Sequence, residues 1–141
     1  MQRKSLTYLH LPPDGELPQI DALAPFLAVV LVETEVVQIW QWEVSRWLVE
    51  SGCRYMQAWG HECSTWDDAV DEANLERFNY DDIPDEEAVV TTFHDDEDME
   101  EVFWFAKNRA THPIHTLNNV VILHIAAEPN KEAIEEQYAD A

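Results

Sequence analysis

The sequence predicts an α/β fold: a single small three-layer sandwich around a four-stranded, mainly parallel sheet in the order 2-1-3-4. Three observations carry this. Short runs rich in apolar and β-branched residues alternate with longer stretches of helical periodicity. Each connection between runs is long enough to hold a helix, which parallel strands joined by right-handed crossovers require. The chain has 141 residues, the size of one domain, and 46% of them are hydrophobic, enough to fill a core.

The elements follow in order. Residues 1–25 read as an irregular lead-in, because Leu11-Pro12-Pro13-Asp14-Gly15 is a turn cluster and Pro18 and Pro25 bar regular helix. A single domain is expected over 26–138, with 139–141 a frayed tail. Phe26 to Val32 is apolar at every position and suits a strand covered on both faces. Thr34 is the expected cap of the first helix, with Glu35 in its first turn; Val37, Trp40, Val44, Trp47 and Leu48 share one face, and Ser51-Gly52 ends it. Cys53 to Trp59 reads as the second strand, closed by Gly60. Ser64 or Thr65 is expected to cap the second helix, with Asp67 and Asp68 in its first turn and Trp66, Ala69, Val70 and Ala73 facing inward. Ala88 to Phe93 is the third strand, and His94 to Asp98 a sharp acidic turn. A third helix is expected from about Asp96 to Ala110, with Met99, Val102, Phe103, Ala106 and Ala110 facing in. Asn119 to Ala126 is the fourth strand, and Lys131 to Tyr138 a short last helix.

Charge is segregated. Residues 62–101 hold 17 Asp and Glu and one basic residue, Arg77, for a net −16 of the chain's −21. Disorder does not explain this acidity, because six Trp, five Phe and four Tyr accompany it. Three Lys and five Arg, all scattered, are too few to hold nucleic acid or an anionic membrane, which are not expected partners. A basic protein partner or a cation is favoured. Salt adaptation would spread acid over the whole surface rather than cluster it. No membrane span is expected, since no window approaches 18 consecutive apolar residues. The basic start, Met1 to Ser5, has no apolar segment after it, so no signal peptide is expected. Cys53 and Cys63 make no disulfide framework, and a cytoplasmic location with free thiols is expected.

In an open parallel sheet, ligands bind beyond the carboxyl ends of the strands, where the order reverses. With the order 2-1-3-4, that place lies between strands one and three. Glu33-Thr34-Glu35, Gly60-His61-Glu62-Cys63 and His94-Asp95-Asp96-Glu97-Asp98 would share that edge. Glu33, Asp96 and Asp98 offer hard oxygen ligands suited to Mg²⁺ or Mn²⁺, which is the basis of an alternative role in hydrolysis or phosphotransfer, with His94 as acid or base. The plainer account is that these acids open helices and stabilise their N-termini, so that no cofactor is needed. His61 and Cys63 stand in one loop where a thiolate would be stabilised, which would suit a nucleophile; a partly buried thiol and a solvated loop histidine are the favoured account, because the spacing dictates no third ligand or orienting group. His112 and His115 lack metal-ligand spacing, and His124 falls within a buried strand as a satisfied core residue. The three glycines are far apart, so no phosphate-binding loop exists, and no Gly-x-Ser-x-Gly elbow is present. Trp42 and Trp104 lie off the apolar stripes of their helices, either as anchors for a partner or packed on a second side.

Glu33 followed by Asp96-Glu97-Asp98 resembles the acid spacing of toprim domains, in which a Glu ends the first strand and Asp-x-Asp the third. Thr34 stands where those domains carry glycine, and the basic surface their substrates require is missing. Trp47-Leu48-Val49-Glu50-Ser51-Gly52-Cys53, Met56-Gln57-Ala58-Trp59-Gly60 and Glu100-Glu101-Val102-Phe103-Trp104-Phe105-Ala106-Lys107 resemble segments of a small bacterial family of unknown function, over roughly residues 20–126. That resemblance implies a bacterial single-domain protein and brings no activity with it. The expected role is a non-enzymatic interaction protein of inhibitor, immunity or nucleic-acid-mimic type. Asp67, Asp68, Asp95, Asp96, Glu97, Asp98, Trp42 and Trp104 would meet a basic protein surface.

Overall fold

Every position of the strand Phe26–Val32 is buried, as a run apolar on both faces requires, and this strand is the centre of the sheet. A computed structural model describes residues 5–141. In chain order the elements are β1 (Ser5–Leu11), β2 (Phe26–Val32), α1 (Gln38–Ser51), β3 (Cys53–Gly60), α2 (Cys63–Arg77), β4 (Val90–His94), α3 (Met99–Asn108), β5 (Asn119–Ile125) and α4 (Lys131–Asp140). Single turns of 3₁₀ helix occupy Asp21–Leu23 and Asp85–Glu87.

All four strand pairings are parallel, and the sheet order is β1-β5-β2-β3-β4. The α/β class and the parallel sheet are as expected; the strand number and order differ. The lead-in is not irregular throughout, since Ser5–Leu11 forms an edge strand in register with Asn119–Ile125. The order differs as well: β4 is an edge strand paired with β3 rather than with β2, and β5 takes the place beside β2. Right-handed crossovers carry the chain from β2 through β3 to β4 with α1 and α2 on one face. The return to β5 then places α3, and after it α4, on the other. The two cores record this alternation. Ala28, Val30 and Val32 pack with Trp40, Val44, Leu48, Trp66 and Val70, whereas Leu27, Val29 and Leu31 pack with Val102, Phe103, Ala106, Ile134 and Tyr138.

Two glycines are required by the backbone. Gly52 ends α1 at φ 102°, and Gly60 ends β3 at φ 99° with its α-carbon so close to β2 that a Cβ would overlap the Val32 carbonyl oxygen. Helix starts differ from expectation. Thr34 does not cap α1, which begins at Gln38 with no side-chain cap, and α2 begins at Cys63, ahead of Ser64 and Thr65. Only α3 begins as an acid-capped helix: Asp98 accepts the Glu101 N–H at 2.9 Å. The last helix runs to Asp140, so residues 139 and 140 lie within it. Among the described residues no helix is long and apolar enough to cross a membrane.

Candidate functional site

Residues 62–101 wrap one flank of the sandwich: α2 lies on one face, β4 forms the edge of the sheet, and the start of α3 lies on the other face. Of the 17 carboxylates in this segment, all but Asp67, Glu87 and Glu97 are exposed. Compensation is local. Arg46 pairs with Glu76, and Arg54 and Arg77 both reach Glu87. Beyond these, no Lys or Arg pairs with a carboxylate of this segment among the described residues; His61 lies 3.7 Å from Glu62 and His94 3.1 Å from Glu97, and most carboxylates of α2 and of the β4–α3 turn face water. Asp67 and Asp71 both lie within hydrogen-bond distance of the one Thr91 hydroxyl, at 3.0 and 2.8 Å. Desolvation lifts the Asp71 carboxyl above the usual aspartate value; the Asp67 charge adds to this and the Thr91 hydroxyl opposes it.

Trp42 and Trp104 are both exposed, at 43% and 46%, but the layers separate them: Trp42 is on α1 and Trp104 on α3, across the sheet. The two therefore stand on opposite faces of the sandwich, with the acidic segment between them. Asp67 and Asp68 belong to the α2 side; Asp98 and Trp104 belong to the α3 side, with Asp95, Asp96 and Glu97 in the turn that leads there. On the α3 side a groove of about 660 Å³ is lined by Glu97, Asp98, Glu100, Glu101, Trp104 and Phe105. Its upper wall is fixed by two groups from the sheet. The Trp59 indole N–H donates to the Glu97 carbonyl at 2.8 Å, and the His94 Nδ1–H donates to the Glu97 carboxylate at 3.1 Å.

His94 is therefore not a turn residue. It is the buried last residue of β4, with its ring centre 4.8 Å from that of Phe105 and the two rings steeply inclined. The Gln57 amide N–H and the Thr92 hydroxyl both point at its Nε2, at 3.4 and 3.0 Å, which makes Nε2 the acceptor and assigns the proton to Nδ1. So placed, it braces the groove and does not face it as a free acid or base. Cys63 is buried, and desolvation raises its thiol pKa, which fits the partly buried thiol and not the thiolate alternative. His61 is exposed and lies 3.7 Å from the Glu62 carboxylate, with no bond to Cys63.

The metal alternative loses its geometry in the observed strand order. Glu33 follows β2 and the Asp96–Asp98 turn follows β4, and β3 runs between them. Among the described residues no three His, Cys, Asp or Glu side chains stand together as a metal would need. The toprim-like spacing therefore does not correspond to neighbouring strands. The reversal of strand order lies instead between β2 and β5, and there sequence reasoning missed a cluster. Tyr8 Oη is hydrogen-bonded to His124 Nδ1 at 2.6 Å and accepts the Asn130 N–H at 2.9 Å. His124 Nε2 is buried, 3.3 Å from Glu33 Oε1: within ion-pair reach, yet not aligned as a hydrogen bond. His10 donates from Nε2 to the Ala126 carbonyl at 2.7 Å. Desolvation raises the Tyr8 pKa, helped by the Glu33 and Glu135 charges. The signal available was β1 itself, Leu6-Thr7-Tyr8-Leu9-His10-Leu11, a run of strand formers just before the Pro-Pro turn.

A family model described as "Domain of unknown function (DUF7684)" matches residues 6–141. No curated protein and no solved structure matches the chain.

Proposed function

We propose that this chain, which belongs to the DUF7684 family, is an acidic interaction protein without catalytic activity whose β4 flank receives a basic protein surface in the cytoplasm. The observation that carries this reading is the run of exposed carboxylates from α2 through the β4–α3 turn to the first turn of α3, with arginine partners, among the described residues, at Glu76 and Glu87 alone. A field of this sign and extent accelerates encounter with a positive partner and repels phosphate-bearing ones. Both cysteines are free and buried, which suits a reducing compartment. Inhibitor, immunity and nucleic-acid-mimic roles all use such a flank.

The test uses a hexalysine amide peptide as the basic probe. Its association should slow at least about tenfold between about 20 and 200 mM salt. The triple variant Asp95→Asn, Asp96→Asn, Asp98→Asn should associate more slowly at low salt; Asn retains the capping role of position 98. Equal association rates for triple variant and wild type would overturn the assignment to this flank.

A further inference from the structure

Acids in the first turn of a helix are explained by the helix itself, because they complement its positive N-terminal end. That account covers Asp98, Glu100 and Glu101. It leaves two neighbouring facts over: a tryptophan held in water on α3, and a groove of about 660 Å³ in which that tryptophan and Phe105 lie among the carboxylates. Spacing relates them. Glu100 and Trp104 are four residues apart on α3, as are Glu101 and Phe105, so each aromatic ring has a carboxylate one turn above it on the same side of the helix. A third fact identifies the chemistry. A guanidinium of the chain's own, that of Arg109, already stands 5.2 Å from the centre of the Trp104 ring.

We infer that this groove is an anchoring site for an arginine side chain of the basic partner, its guanidinium stacked on Trp104 or Phe105 and its N–H edge bonded to Glu100 or Glu101. The inference rests on the reading of the acidic flank given above and names the residue type that flank takes. Arginine fits better than lysine. A planar guanidinium lies flat on a ring and directs its donors outward in the ring plane, toward carboxylates placed at the ring's edge. An ammonium offers only a point charge and holds its water more tightly. The groove is kept in shape from behind: His94 and Trp59 hold Glu97 through its side chain and its backbone, and His94 packs its edge on Phe105. The site is thus ready before a partner arrives, so little ordering is required on binding.

Hexa-arginine amide and hexalysine amide, titrated at low salt against the whole chain, separate the possibilities. Wild type should bind the arginine peptide about fivefold more tightly than the lysine peptide, and the Trp104 indole N–H signal should shift on saturation. Trp104→Ala should weaken the arginine peptide about fivefold and erase the preference, while Trp104→Phe keeps part of it. Trp104 is exposed, so neither change empties the core, and an unchanged circular dichroism spectrum verifies the fold. The double variant Glu100→Gln, Glu101→Gln should lose more affinity than the charge-matched Asp81→Asn, Asp82→Asn in the loop between α2 and β4. If Trp104→Ala binds like wild type, or if the two peptides bind alike, the anchor is overturned, while salt-sensitive binding that falls in the Asp95/Asp96/Asp98 variant keeps the wider reading. If neither peptide binds, the wider reading fails and the anchor with it.

Discussion

Asp71 and Asp67 compete for a single hydroxyl proton on Thr91, and desolvation raises the Asp71 carboxyl above the usual aspartate value. A raised folded-state pKa means that the folded chain binds this proton more tightly than the unfolded chain. Acidification from neutral pH through the raised value therefore stabilises the fold through this group, and its charged form at neutral pH is a cost. Asp71→Asn should raise the unfolding free energy near neutral pH by about 0.5 kcal/mol, discounted for exposure. The gain should shrink in acid, where the wild-type carboxyl is protonated; chemical denaturation at two pH values measures both. Burial acts on the thiols in the same direction, pushing Cys53 to about 12 and raising Cys63. Ellman's reagent should leave both unlabelled in the native protein and label both once urea unfolds it. Tyr8 has the opposite role, tying β1 to β5 and to the start of α4 through its hydroxyl. Tyr8→Phe should cost about 1–2 kcal/mol by urea unfolding, because it leaves His124 Nδ1 buried and unpaired.

At the scale of elements, the strands and helices with strong periodicity were legible, and those defined by long-range partners were not. β2 and β5 could be read because covering both faces leaves no polar position in β2 and few in β5. The inner faces of α2 and α3 were read correctly at Trp66, Val70, Val102, Phe103 and Ala106, all buried. β1 was missed because an edge strand is only half covered, and its partner lies more than a hundred residues away. The acidic flank was visible as composition. The groove on α3 was not, since it depends on His94 and Trp59 reaching the turn from neighbouring strands. Gly60 is the element-scale position most sensitive to change: β3 closes against β2 with no room for a methyl group. Gly60→Ala should lower stability by about 2 kcal/mol or more in the same assay, through overlap and through a positive φ unsuited to alanine.

Over the whole molecule, a formal charge of −21 is borne by 141 residues with only eight basic side chains. Self-repulsion opposes the folded state, and added salt relieves it. The melting temperature should rise by several degrees between about 10 and 300 mM sodium chloride, where a protein without such an excess would change little. An unchanged melting temperature would show that the surface charges are already balanced in pairs.

The pairing of β1 with β5 also sets a timetable. Residues 5–11 leave the ribosome more than a hundred residues ahead of the strand they join, residues 119–125. Until that strand emerges the growing polypeptide must carry an orphan segment of seven residues, Ser-Leu-Thr-Tyr-Leu-His-Leu, without a single charge to discourage its joining a stranger. A nascent chain stalled before residue 119 should remain open to protease at its beginning, and one released beyond residue 125 should be closed.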